Sequence, residues 1–368
     1  MHQDAITLIS QEQYHLAQAQ KEKALLPILR EQLQAAMQAL PELEKYFSAW
    51  HFTPAKMQKI SEIPPIPVSM FKDFDLRIAQ KTDVVRVVKS SGTTGTQSRI
   101  YIGRETSARQ TKALVSILKS FLGKTRMPYL VLDAAQSNAG SEEITARTAA
   151  IRGLAAYATE TCYAMDQAGG ELSPNFARVK QFCEKHEGET ILVFGFTYIA
   201  WSRFLALAPV GEKFSVKSAF FLHSGGWKKL AAQKVDSATF DAAVKKVFQC
   251  EKMAIIDYYG MAESVGMIFP TCGAGFKHAP DFGDIIIRDP NTFAEAPAGQ
   301  KGIIEVVSIL PSSYPGNAIL TEDLGTVMGI DDCKCGRLGK RFVFNERAPK
   351  AMARGCGDTF ADKKTQQG

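Results

Sequence analysis

An α/β fold is the expectation for this chain, and three observations carry it. Between Tyr129 and Leu207 short apolar runs alternate with helical patterns: a strand at Tyr129–Leu132, helices at Glu142–Ala156 and Phe176–Lys185, a strand at Thr190–Phe194, and a helix at Tyr198–Leu207. Two more strands, Ser218–Leu222 and Ala254–Tyr258, each run into a polar or glycine-bearing turn, where ligands gather in such sheets. After residue 280 the segments Asp284–Arg288 and Gly302–Ser308 are β-rich and separated by Pro and Gly turns.

Residues 11 to 50 read as mostly helical, because Leu25, Ile28, Leu29, Leu33, Met37 and Leu40 recur at helical spacing. Pro27 is expected to start a new helix or to kink an existing one. The proline-rich stretch Ile63-Pro64-Pro65-Ile66-Pro67-Val68 closes this region. A β-branched run, Val84 to Lys89, a loop and a helix from Arg104 to Leu122 follow. The expected organisation is a helical region at 1–65 packed on the main body, an α/β core at 66–280, a β-rich subdomain at 281–347 and a mobile tail at 348–368. No internal repeat is present.

At 368 residues the chain exceeds the usual size of one hydrophobic core, so two or more lobes are expected, with room for a buried pocket. Its 22% charged and 45% hydrophobic residues argue against long disorder. The net charge of +6 is scattered, with no long basic block, which gives nucleic-acid binding little support and suits an anionic ligand or an acidic carrier protein. Met1 to Gln20 has polar residues where a signal peptide needs an apolar core, and no run approaches a bilayer span. A cytoplasmic location is the expectation, in which seven cysteines are metal ligands, reactive thiols or core residues rather than disulfides.

The loop Ser90-Ser91-Gly92-Thr93-Thr94-Gly95-Thr96-Gln97-Ser98 combines glycines, which let backbone N–H groups close on phosphate oxygens, with hydroxyls that add donors. It has no lysine after Gly95, so it is not a Walker loop. Alone it reads equally as a phosphate cradle or a surface turn. Three further segments change that balance: Asp257-Tyr258-Tyr259-Gly260-Met261-Ala262-Glu263, a strand breaking into an aromatic-glycine turn with a carboxylate behind it; Leu320-Thr321-Glu322-Asp323-Leu324-Gly325, a strand ending in acids; and Asn345-Glu346-Arg347.

In this order and spacing the segments resemble the adenylate-forming superfamily of acyl- and aryl-activating enzymes, most closely the bacterial acyl-protein synthetases (LuxE family), with phenylacetate-CoA ligase-like relatives. Ile66-Pro67-Val68-Ser69-Met70-Phe71-Lys72, Leu222-His223-Ser224-Gly225-Gly226-Trp227-Lys228 and Ala353-Arg354-Gly355-Cys356 share in the likeness, which runs from about residue 60 onward. It implies the large N-terminal domain of such enzymes, with layered α/β subdomains and a β-rich subdomain, the C-terminal domain being absent or reduced to a tail.

The resemblance also implies roles. Glu263 would hold Mg²⁺, with Thr94 giving a hydroxyl or phosphate contact; Tyr259 would stack on adenine, Asp323 would bind the ribose hydroxyls, and Arg347 would face ribose or α-phosphate. Here Glu346-Arg347 replaces the common Gly-Arg, and Arg337 competes for that position. Ser90, Ser91, Gly92, Thr93, Thr94, Gly95, Thr96, Ser98, Gly225, Gly226, Tyr259, Gly260, Met261, Asp323 and Arg347 form the implied ATP-binding set. The reaction is attack of a carboxylate on the α-phosphorus of ATP, which needs positioning and charge neutralisation more than a general base. Cys356, between glycines and beside Arg354, could then take the acyl group as a thioester.

Cys272, His278, Cys333 and Cys335 suit either a structural tetrahedral Zn²⁺ or free, partly buried thiols. Phe196, in Phe194-Gly195-Phe196-Thr197-Tyr198, would line an acyl pocket or fill the core, and His223 would flank adenine, flank the carboxylate or be structural. Cys162, Cys183 and Cys250 read as interior residues. The sequence therefore points to an ATP-dependent synthetase that activates a carboxylic acid, a fatty acid by resemblance, loads Cys356 and delivers to an acyl reductase, an acyltransferase or a carrier protein. The rivals are an acyl- or aryl-CoA ligase and a non-catalytic nucleotide- or acyl-binding subunit.

Overall fold

The computed structural model describes residues 2–90, 97–135, 143–227 and 232–349. These fall into two compact units, one of residues 1–117, 141–149 and 261–368, the other of 118–140 and 150–260.

The first unit opens with helices His2–Ser10, Gln18–Ala39 and Pro41–Ala49. Leu25, Ile28, Leu29, Leu33 and Ala36 line the buried face of the second, the spacing that makes one stripe of an α-helix. Pro27 lies inside this continuous helix and does not start a new one; the break falls at Leu40, and Pro41 takes the first turn of the next, where a missing N–H costs nothing. Lys21, fully buried on the same helix, pairs with Asp284 at 3.3 Å, and Asp284 also faces Lys340 at 3.3 Å. The two cations together hold the Asp284 carboxyl below its usual range against the opposing effect of burial.

Asp284 belongs to the main sheet of this unit, whose strands run in the order Lys277–His278, Lys340–Arg347, Ala318–Ile330, Lys301–Ser308, Gly283–Arg288, all antiparallel. Gly283–Arg288 is buried throughout, so Ile285, Ile286 and Ile287 follow one another without alternation, while the charges of Asp284 and Arg288 are met by Lys21, Lys340 and Glu305. The proline-rich stretch ends as the two-residue strand Ile66–Pro67, pairing in parallel with Ile319 and Leu320 at an edge, where proline's lost donor is tolerated. A second sheet places Val84–Lys89 between Arg99–Gly103 and Glu143–Thr145.

The second unit is a sheet with the order Lys252–Tyr259, Ser218–Ser224, Thr190–Phe196, Met127–Ala134, Ala158–Ala168, Glu171–Pro174, parallel except for the last pair. Helix Phe176–Lys185 matches its expected span, and Arg104–Leu122, which runs from one unit into the other, does so too. Phe194, Phe204, Phe214, Phe221 and Phe248 are fully buried and supply the bulk of the core.

Two expectations are corrected and one strand is added. Glu142–Ala156 is not all helix: Glu143–Thr145 is a strand held by pairing with Val87–Lys89, and the helix, Ala146–Ala155, starts where the Thr145 hydroxyl accepts from the Thr148 N–H. Tyr198–Leu207 is a succession of short helical turns with a five-residue π segment, Ala200–Phe204. Strand Ala158–Ala168 was unforeseen; its hairpin turns at Gly169 and Gly170, both at positive φ, as a tight two-residue turn demands.

Candidate functional site

In the first unit the Ser90–Ser98 loop joins two antiparallel strands, with Lys89 opposite Arg99. The strand Arg99–Gly103 therefore stands between the loop and the helix, and the loop is a hairpin connection rather than a strand-to-helix turn. Its base is closed by bonds from the Ser98 N–H to Ser90 Oγ (3.0 Å) and from Gln97 Nε2 to the Ser90 carbonyl (2.9 Å). Ser91, Gly92, Thr93, Thr94, Gly95 and Thr96 lie outside the described residues, as does Cys356.

Ser98 is fully buried, and its hydroxyl neighbours Glu263, which sits in the single turn Ala262–Ser264 and is 5% exposed. Burial pushes the Glu263 carboxyl up; Ser98 and Lys72 act against this, while Glu322 adds to it. The turn is pinned from behind: the Tyr314 hydroxyl donates to the Glu263 carbonyl at 2.9 Å, and Phe71 packs edge-on against the Tyr314 ring. Met261 begins the same turn.

Asp323 was expected at the end of a strand. Instead the strand runs on to Ile330, and the acids sit on a bulge. Ile303 pairs with Leu324 and Glu305 with Leu320, so Thr321, Glu322 and Asp323 lie opposite the single residue Ile304. The Thr321 hydroxyl donates to the Ile304 carbonyl (2.8 Å) and accepts from the Asp323 N–H (3.1 Å), satisfying groups the bulge takes out of the ladder. Across the next strand Asp323 faces Arg347, and Arg347 donates to Glu322 at 2.8 Å. Arg337 lies elsewhere, over the Tyr14 ring. Glu346, in place of the common glycine, turns to solvent and pairs with Lys301 at 3.0 Å, so the departure leaves the strand pairing intact.

Cys272, His278, Cys333 and Cys335 converge in this unit, every potential ligand atom lying within 4.8 Å of the others. The Cys272 and Cys333 sulfurs are 4.0 Å apart, and Cys335 Sγ is 3.4 Å from His278 Nε2. Ligands on a tetrahedral zinc are separated by about 3.5–3.8 Å, given Zn–S near 2.3 Å and Zn–N near 2.1 Å, so the donor set fits. Burial, with Arg337, Lys21 and Arg341 close by, pushes His278 down to about 4, which keeps the imidazole neutral, as a ligand must be.

The second unit carries Phe196, His223, Gly225, Gly226, Tyr259 and Gly260. Phe196, Ser224 and Tyr259 close three strands whose carboxyl ends lie side by side. The Thr197 hydroxyl lies 3.1 Å from the Ser224 carbonyl, to which it donates, and 3.0 Å from His223 Nδ1. Phe240 lies against the His223 ring, with centroids 4.5 Å apart. Gly225 has φ +83°, and a β-carbon there would come within 2.7 Å of Phe196 Cδ1, so only glycine fits. Of the remaining cysteines Cys183 is buried, while Cys162 and Cys250 are only partly so.

Sequence reasoning gave no role to Lys72, Glu322, Thr197 or Phe240. Lys72, Glu322 and Thr197 each stand inside a sequence motif, which is the signal; Phe240, on helix Ser237–Val247, emerges only from its packing against His223.

One unit built on a parallel sheet and another built on an antiparallel sheet that carries a buried glutamate and an acid-bearing bulge make up the fold of the adenylate-forming ligases. The chain resembles 2-hydroxyisobutyryl-CoA ligase in an open conformation in complex with 2-HIB-AMP and CoA, with TM-score 0.64 and 17% identity over 90% of this chain and 76% of that one. The same ligase in its postadenylation state with 2-HIB-AMP gives TM-score 0.63, with 17% identity over 89% and 67%. Residues 3–365 match the family "Acyl-protein synthetase, LuxE", and the chain belongs to it; the protein is a ligase of that family. It is 24% identical over 276 residues to the long-chain-fatty-acid–luciferin-component ligase of Vibrio harveyi, covering 74% of this chain and 71% of that protein. Among the described residues no helix is long and apolar enough to cross a membrane.

Proposed function

We propose that the protein activates a fatty acid with ATP to the acyl-adenylate, transfers the acyl group to Cys356 as a thioester and passes it to an acyl reductase partner. The observation that carries the reading is the match of residues 3–365 to the acyl-protein synthetases. The geometry supports it: Glu263, Asp323 and Arg347 share one compact unit. Glu263, a buried carboxylate raised by desolvation, is a hard-oxygen ligand suited to Mg²⁺. When bound there, Mg²⁺ would neutralise phosphate charge. Asp323, carried on its bulge, accepts the ribose hydroxyls, and Arg347 opposite it offers charge to the α-phosphate. The Ser90–Ser98 hairpin receives the leaving pyrophosphate with backbone N–H groups and hydroxyls.

In the second unit His223 flanks adenine or the carboxylate, Tyr259 stacks on adenine, and Phe196 lines the acyl chain. Cys272, His278, Cys333 and Cys335 hold a structural zinc, since four protein ligands leave no open position.

The test is to incubate the protein with Mg-ATP and labelled fatty acids of several chain lengths. Pyrophosphate release and hydroxylamine-labile label on the chain, lost in Cys356→Ser, are expected. Label persisting in Cys356→Ser removes the acyl-cysteine step; acyl-CoA as main product would replace the acceptor with coenzyme A; no adenylate with any acid overturns the reading.

A further inference from the structure

The segment Ile66–Lys72 has no role in the reading so far, yet its course is fixed closely. Ile66 and Pro67 pair with Ile319 and Leu320, and the Val68 N–H donates to the Leu320 carbonyl at 3.0 Å. Both chains then run on side by side, one into the short helix Met70–Asp73 and the other into the bulge Thr321–Asp323. Lys72 is thereby brought to Glu322, with Nζ 3.1 Å from Oε1. The other oxygen of the same carboxylate receives Arg347 at 2.8 Å. One residue before Lys72, Phe71 packs on Tyr314, which holds the backbone of Glu263. Lys72 is close enough to Glu263 to favour its ionised form.

This lysine is therefore placed between the two halves of the ATP site of this unit, the Asp323–Arg347 end and the Glu263–Ser98 end. Its side chain is 20% exposed and that of Glu322 26%, so the pair lines a recess instead of lying on open surface. Lys72 and Arg347 share the one Glu322 carboxylate, each on its own oxygen. An ammonium has three donors, and Glu322 takes one. The arrangement suits a tetrahedral oxyanion between the ribose end and the pyrophosphate end of a nucleotide.

We infer that Lys72 is a catalytic residue of adenylation, its ammonium contacting the α-phosphate as the carboxylate attacks; this rests on the adenylation reading above. In the step, a carboxylate oxygen forms a bond to the α-phosphorus, the bond from that phosphorus to the bridging oxygen breaks, and pyrophosphate leaves with the electron pair. No proton changes hands. Lys72 supplies hydrogen bonds and charge to non-bridging oxygens, whose charge is more concentrated at the crowded transition state than in bound ATP. Glu322 keeps the ammonium aimed before substrate arrives, so little reorganisation is needed.

The experiment is fatty-acid-dependent ATP–pyrophosphate exchange with the full chain, comparing wild type, Lys72→Met and Lys72→Arg, together with binding of Mg-ATP by calorimetry and a thermal melt of each. The expected result is a loss of about 10²–10³ in exchange kcat for Lys72→Met, with Mg-ATP affinity changed less than about threefold. Lys72→Arg, which keeps the charge and the pairing with Glu322, is expected to recover at least about tenfold of that loss, and it decides the matter if Lys72→Met fails to fold. Exchange near the wild-type rate in Lys72→Met, a defect confined to KM, or an Arg variant no better than Met overturns the role of Lys72 and leaves the adenylation reading standing. A wild type with no exchange for any acid overturns that reading, and this inference with it.

Discussion

Asp323 and Arg347 are cross-strand partners, set opposite each other where a bulge lifts Asp323 out of the regular ladder. If Asp323 binds ribose through two hydrogen bonds, Asp323→Ala should weaken nucleotide binding about 10²- to 10⁴-fold, since hydrogen bonds to a charged group contribute about 1.5–3 kcal/mol each. Titration with a fluorescent ATP analogue measures this. Asp323 is only half-buried, so the melting temperature should move little.

Glu263 predicts opposite effects on activity and stability. Its carboxyl is raised by burial, so the folded state is penalised as pH rises from the ordinary carboxylate range through the raised value. Glu263→Gln should therefore melt slightly higher than wild type at pH 7 without Mg-ATP, about 1 kcal/mol corresponding to roughly 1–2 °C for a chain of 368 residues. The same variant should lose about 10²–10³ in pyrophosphate exchange and require more Mg²⁺ for half-saturation. Calorimetry at several Mg²⁺ concentrations separates the two effects.

The Cys₃His group gives a compositional prediction. Gently purified protein should contain about one zinc per chain by elemental analysis, and Cys272→Ser or His278→Ala should release it. The metal would tie the turn after Cys272 to the one around Cys333, and the neighbouring Leu338 N–H bonds the Tyr14 carbonyl at 3.0 Å. Chelation should accordingly lower the melting temperature by several degrees and increase proteolysis near the amino terminus. A zinc-free protein with an unchanged melt would leave the cysteines as free, partly buried thiols.

His186 supplies a pH dependence in the second unit. It ends helix Phe176–Lys185, with Nδ1 2.8 Å from Glu189 and Nε2 2.6 Å from Glu160. Desolvation opposes its charge, yet bonds to both carboxylates win and hold it above its ordinary value, helped by the helix carboxyl end. Because the folded value is the higher one, this stabilisation is complete below about pH 6.5 and disappears as pH rises through the raised value. Melts between pH 6 and 9 should show a decline that His186→Gln largely removes, and NMR titration of the ring locates the transition.

The sequence determined what depends on a residue and its near neighbours. Helices Arg104–Leu122 and Phe176–Lys185 follow from apolar spacing alone, and the chemistry of the Ser90–Ser98 loop follows from residue type. It also held the acid and aromatic motifs of the family in their order. Tertiary structure decided whatever needs a partner strand. Glu143–Thr145 became a strand because Val87–Lys89 pairs with it, and the acids of Thr321–Asp323 moved from a strand end to a bulge because Ile304 alone lies opposite them. Cys272 and Cys333, 61 residues apart, meet only through the sheet between them. Lys72 reached Glu322, 250 residues away, by the pairing of Ile66–Pro67 with Ile319–Leu320. Local pattern records the conformational preference of a segment, whereas register is set by the burial and hydrogen bonding of two segments together, which neither carries alone.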